Sequence, residues 1–141
     1  MRCPILLVED SEDDRDLFLR AVERSGWDLE VHWARSAEEA LASLQAERFP
    51  GLRLMVVDLR LPSLSGMEFI GALASQPSTR SVPKVVFSTS GLESDIRAAL
   101  EAGAQGFVQK PLDLQAHTQA VRTMLDFWIG LHRMPASQGK P

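Results

Sequence analysis

The 141-residue chain has one cysteine, Cys3, so no disulfide can close within it. Nowhere does it carry an apolar stretch approaching the roughly 18–20 residues of a membrane span. Basic residues are in deficit, 15 against 19 acids, which leaves a net charge of -4. That argues against a nucleic-acid module, because phosphate contacts need a basic stripe. The opening "MRCPILLVEDSEDD" has an apolar run too short for a secretory signal, and acids follow at once. Together these absences predict a cytoplasmic protein with no membrane and no nucleic-acid partner. What is present is ordinary for a soluble domain: 45% hydrophobic and 24% charged residues, in a chain long enough to bury a real core.

No hairpin signal such as Asn-Gly separates the apolar runs; helical patterns separate them instead. "CPILLV" (3–8) reads as a buried strand, and "SEDDRDLFLRAVERSG" (11–26) as a helix capped at Ser11 or Asp10 and stopped at Gly26. "LEVHWA" (29–34) is a strand with one face more exposed. "SAEEALASLQAE" (36–47) is a helix with a Ser36/Glu39 capping box. Strands at 53–57, 84–88 and 106–109 alternate with helices at 66–75, 93–103 and 112–132. Five strands alternating with five helices, without hairpins, predict an α/β fold whose parallel sheet is covered on both faces. The tail "MPASQGKP" (134–141) is rich in Pro, Gly and Ser and is expected to be disordered, leaving one domain over 1–133.

Two of these strands end in acid: "ILLV" runs into Glu9 and Asp10, and "LMVV" into Asp58. In an open doubly wound sheet, ligands bind beyond the carboxyl ends of the strands, where strand order reverses. With order 2-1-3-4-5, strands one and three are neighbours, roughly 5 Å apart. Three carboxylates so close repel one another, and desolvation adds to the cost. A hard divalent cation relieves both, and Mg²⁺ commonly takes one or two carboxylates together with phosphate oxygens. Strand four closes with a hydroxyl, Ser88, and strand five with an ammonium, Lys110. Singly, Ser88 is an ordinary cap and Lys110 a surface charge. As a set, these groups would bind a phosphoryl group bridged to Mg²⁺, with Asp58 as nucleophile.

"ILLVED", "VVDLRLPSLSG", "VVFSTS" and "GAQGFVQKP" resemble the receiver domains of bacterial two-component response regulators over nearly the whole chain. The resemblance implies a flavodoxin-like receiver fold and a phosphoacceptor signalling protein that catalyses its own phosphotransfer and dephosphorylation. By that likeness Asp58 takes phosphate from a partner histidine kinase. Glu9 and Asp10 hold Mg²⁺, Asp10 directly, with Asp58 and the Arg60 carbonyl as further ligands. Ser88 and Lys110 bind phosphoryl oxygens, and Phe107 occupies the aromatic switch position on a helix 4/strand 5/helix 5 surface. It also implies a cis Lys110–Pro111 bond. Ser88 stands where many receivers have Thr, and Arg60 is a less usual occupant of its loop position. Asp14, "VFSTSG" and the long last helix are most similar to stand-alone regulators serving bacterial phytochrome kinases.

Rival chemistries fit less well. A phosphatase of the haloacid dehalogenase class wants a second Asp two residues after the nucleophile, where this chain has Arg60. A flavodoxin-like cofactor site wants Ser, Thr and Gly after strand one, where this chain has acids. His32, His117 and His132 are scattered, and Trp27, Trp33 and Trp128 read as packing residues. In the last helix Leu114, Val121 and Trp128 recur at intervals of seven, flanked by Met124, Leu125, Ile129 and Leu131. That pattern predicts apolar side chains beyond the domain's own core, and a homodimer formed through this helix.

Overall fold

The computed structural model describes residues 2–132. Its elements alternate as β1 (Cys3–Val8), α1 (Glu12–Ser25), β2 (Leu29–Ala34), α2 (Ala37–Gln45), β3 (Leu54–Val57), α3 (Gly66–Ala74), β4 (Lys84–Ser88), α4 (Glu93–Ala102), β5 (Gly106–Gln109) and α5 (Leu114–Leu125). All four strand pairings are parallel, in the expected order β2-β1-β3-β4-β5. The central strands are apolar without alternation because both of their faces are covered. Leu6, Val8, Met55, Val57 and Val86 point into the cluster with Phe69, Ile70 and Leu73 of α3 and Ala99 of α4. The intervening Ile5, Leu7, Leu54, Val56, Val85 and Phe87 point the other way, onto Phe18 of α1 and Val121 and Leu125 of α5. The period of two thus feeds one strand into two cores.

Helix starts follow from side-chain caps. Ser11, Ser36, Ser65 and Asp113 each accept a hydrogen bond from a backbone N–H of the first turn. The box expected at Ser36 is only half made, since the Glu39 carboxylate accepts from the Arg35 amide at 3.1 Å instead. A complete box closes at Ser65 and Glu68. Gly26, at φ 84°, takes the left-handed turn that ends α1. Lys84, although charged, is fully buried; its ammonium donates to the Thr79 and Val82 carbonyls at 2.8 Å each, pinning the turn before β4. Burial lowers its pKa.

The chain's end departs from expectation. The last α-helix stops at Leu125, and the backbone continues as a π-helix over Asp126–Leu131. A π spiral changes which residues share a face, so the spacing of seven does not mark one exposed stripe. Val121 is fully buried and Ile129 is buried, while Trp128 packs against the α1/α5 core opposite Gly106. Trp27 covers Gly130 and donates its indole N–H to Asp126 Oδ1 at 2.9 Å. These turns therefore fold back on their own domain. Only Phe127 (47% exposed) and Leu131 (71%) keep large apolar side chains in solvent there. The Lys110–Pro111 bond is trans, as are all peptide bonds among the described residues, so the expected cis bond is not found. No helix among them is long and apolar enough to cross a membrane. The tail assigned to 134–141, and residue 133 before it, lie outside the described residues.

Candidate functional site

β1 and β3 deliver their carboxylates to one place. Val8 pairs with Val57, so Glu9, Asp10 and Asp58 leave adjacent strands at the same level of the sheet. Carboxylate oxygens of all three lie within 4.8 Å of one another. Glu9 is buried, Asp10 is exposed, and the Asp58 side chain is 12% exposed. The loop after β3 folds tightly over this point: Asp58 Oδ1 accepts from the Arg60 amide at 3.3 Å, and Gly66 lies against the Asp58 backbone. A Cβ at residue 66 would overlap the Asp58 carbonyl oxygen, which explains a glycine there.

Lys110 enters from the end of β5. Its backbone N–H donates to the Ser88 carbonyl at 2.7 Å, which joins the ends of β4 and β5. Its ammonium, with the trans bond that follows, reaches Glu9 Oε1 at 2.7 Å, Asp14 Oδ2 at 3.2 Å and Asp58 Oδ2 at 3.6 Å. Ser88 is fully buried, its hydroxyl accepting from the Ser90 amide at 3.3 Å. Phe107 is half-buried and packs on the α3/α4 core. The Arg60 side chain is exposed and makes no ion pair among the described residues.

Burial pushes the Glu9 carboxyl up to about 7, against the pull of the Lys110 hydrogen bond and charge, and with a smaller upward push from Asp58. Burial alone would lower Lys110, but its hydrogen bond to Glu9 and the charges of Asp58, Glu9 and Asp14 outweigh it and hold the ammonium above its ordinary pKa. His117 of α5 is buried beside Phe87, its Nδ1 unpartnered. Burial, then Lys110, keep its pKa low against the opposing charge of Asp14. Two contacts were not assigned from sequence. Asp14 carried no role, although it stands in the first turn of α1, which starts at the carboxyl end of β1 beside the acids. Trp33 read as packing, although it donates its indole N–H to the Glu9 carbonyl at 2.7 Å.

The donor set suits a hard divalent cation. Three clustered carboxylates with one lysine leave excess negative charge, and oxygen donors without thiol or imidazole are the ligands Mg²⁺ and Mn²⁺ prefer.

Residues 5–122 match the family model described as the response regulator receiver domain. The chain is 32% identical over 134 residues to a probable methanogenesis regulatory protein, FilR2, of Methanothrix harundinacea, covering 93% of this chain and 86% of that protein. It is 31% identical over 137 residues to response regulator Rcp1 of Synechocystis sp., covering 94% and 93%. The crystal structure of the Mn²⁺-bound form of Rcp1 superposes with a TM-score of 0.86 over 95% of this chain and 99% of that one. That of the phosphorylated cyanobacterial phytochrome response regulator RcpA, 29% identical, gives 0.89 over 96% and 100%.

Proposed function

Because the chain belongs to the response regulator receiver domain family, whose role is to take a phosphoryl group from a histidine kinase, we propose that Asp58 is its phosphoacceptor, in a Mg²⁺-dependent reaction. One observation carries this reading: the three carboxylates meet within 4.8 Å while Lys110 stands 3.6 Å from Asp58. An Asp58 oxygen attacks phosphorus as the phosphohistidine N–P bond breaks, and the leaving imidazole takes up a proton. Phosphoryl transfer is mostly positioning and charge stabilisation. Glu9, Asp10, Asp58 and the Arg60 carbonyl would hold the cation, Asp10 directly; bound there, it supplies Lewis-acid neutralisation of the phosphoryl oxygens. Lys110 turns from Glu9 toward those oxygens, and the Ser88 hydroxyl donates to another. The chain thereby catalyses its own phosphotransfer and, with water as acceptor, its own dephosphorylation. Incubation with a small phosphodonor should give one phosphoryl group per chain with Mg²⁺ and none with a chelator; equal labelling without metal would sink the reading.

Glu9 makes metal binding pH-dependent. With its pKa raised to about 7, the metal-free site keeps a proton that the cation must displace. Affinity should therefore rise up to about tenfold per pH unit below 7 and level off above it. The stability term has the opposite sense. A raised carboxyl favours the metal-free fold below about pH 4.5, the unfolded value, and that contribution is lost as pH climbs through about 7. Calorimetric titrations from pH 6 to 8 should show proton release on binding that fades toward the upper end. A flat affinity across that range would remove Glu9 from the site.

The phosphorylated form should act through the surface of α4, β5 and α5. Ser88 moves toward the phosphoryl group, and half-buried Phe107 fills the space it leaves. Slower hydrogen exchange over residues 88–110 in the phosphorylated chain is expected; identical exchange would refute the switch. A homodimer fits the same face. Val108, Ala116, Ala120, Met124, Phe127 and Trp128 line an apolar groove of about 520 Å³ beside β5, an open sheet edge. A second copy would cover it, and Phe127→Arg should turn a sedimenting dimer into a monomer. A wild-type chain that stays monomeric at high micromolar concentration, phosphorylated or not, would end that idea. The likeness to the phytochrome response regulator RcpA supports a phytochrome-type kinase, in the cytoplasm, as phosphodonor. Faster transfer from an unrelated kinase of the same organism would count against it.

A further inference from the structure

β1 ends at Val8, and the ladder with β2 ends where the Glu9 amide donates to the Ala34 carbonyl at 3.0 Å. Beyond that point no backbone N–H among the described residues donates to the Glu9 carbonyl, the oxygen of the peptide joining the two acids. A side chain supplies one: Trp33 Nε1, at 2.7 Å. The indole is itself fixed. The Arg15 guanidinium lies 4.2 Å from its ring centroid and that of Arg35 at 4.9 Å. Arg15 is tied to Asp16 at 2.8 Å, and Arg35 to Glu12 at 3.0 Å. Glu12 and Arg15 stand on α1, Arg35 just after β2, so the stack bridges the two elements that flank the acids.

The Asp10 carboxylate is exposed and accepts no side-chain hydrogen bond among the described residues. Its direction therefore depends on the peptide plane before it. We infer that Trp33 is a positioning residue for the metal site: by holding the Glu9 carbonyl, its indole N–H sets the plane of the Glu9–Asp10 peptide and aims the Asp10 carboxylate at the cation. The chemistry is that of outer partners of metal ligands, whose loss commonly weakens binding about tenfold or more. The inference rests on the reading that these acids bind a divalent cation.

The test uses the full chain and Mn²⁺ alone, with free Mn²⁺ read by paramagnetic resonance and folding by urea titration of the same samples. Trp33→Phe keeps an aromatic face for the arginines and removes the donor. Benzothienylalanine placed at residue 33 keeps the indole's shape and removes only the N–H. Both should bind Mn²⁺ about tenfold more weakly at unchanged stoichiometry, the second with its urea midpoint near that of wild type. A merely structural tryptophan would lower the midpoint and leave the affinity of the folded protein alone. Unchanged affinity in either folded variant overturns the inference while wild-type binding stands. A wild-type chain that binds no Mn²⁺ overturns the metal-site reading itself.

Discussion

Asp58→Asn should accept no phosphate from a phosphohistidine donor, while folding and remaining able to bind a divalent cation more weakly. The substitution keeps the side chain's shape and hence the fit beneath the Arg60 amide and beside Gly66. It removes the anionic oxygen that attacks phosphorus, and an amide is no substitute as a nucleophile. It also removes a charge that pushes the Glu9 carboxyl upward, so Glu9 should ionise at lower pH in the variant. Lys110 keeps its closer partners, Glu9 at 2.7 Å and Asp14 at 3.2 Å, so the ammonium stays anchored. The effect should be complete loss of a hydroxylamine-labile acyl phosphate rather than a slower rate. Persistent labelling of the Asn variant would mean that another group is the acceptor.

Asp10→Ala should lose phosphorylation by a different route. Its carboxylate is the exposed member of the cluster and carries no side-chain hydrogen bond among the described residues, so the fold does not depend on it. Removing one of three clustered acids relieves repulsion in the metal-free protein, and thermal stability should hold or rise slightly. Metal affinity should fall by more than about 100-fold, beyond the about 10–100-fold typical of losing an outer partner. Partial rescue by high Mg²⁺ would separate this variant from Asp58→Asn, which no metal concentration can restore. An Asp10→Ala chain with wild-type affinity would place the cation elsewhere.

The sheet was legible because its physics is local. Runs such as Ile5–Val8 and Leu54–Val57 are apolar at every position, which only a strand covered on both faces requires. Glu9, Asp10 and Asp58 were legible because they stand at the ends of such runs, and Lys110 because it follows the short strand Gly106–Gln109; parallel topology brings strand ends together. What escaped depends on tertiary packing. The shift to a π-helix after Leu125 goes with Trp27 seated over Gly130 and bonded to Asp126, contacts about a hundred residues apart in sequence that no periodicity of seven reveals. The indole bond from Trp33 to the Glu9 carbonyl spans two strands and looks, from sequence, like any half-buried aromatic. The burial of Lys84 was not legible either, since it depends on the Thr79 and Val82 carbonyls of the preceding turn, which accept from its ammonium. The cis bond expected at Lys110–Pro111 was inferred from family likeness and is absent, although Lys110 reaches its carboxylates without it.

The central claim, that Asp58 is the phosphoacceptor, is tested most directly by locating the modified residue. Borohydride reduces an aspartyl phosphate to the alcohol of homoserine, and peptide mass mapping then finds the converted position. After incubation with phosphodonor and Mg²⁺, conversion should appear at residue 58 alone, and omission of Mg²⁺ should leave that position as aspartate. Conversion at Asp10, Asp14 or another carboxylate, with residue 58 unchanged, would contradict the account.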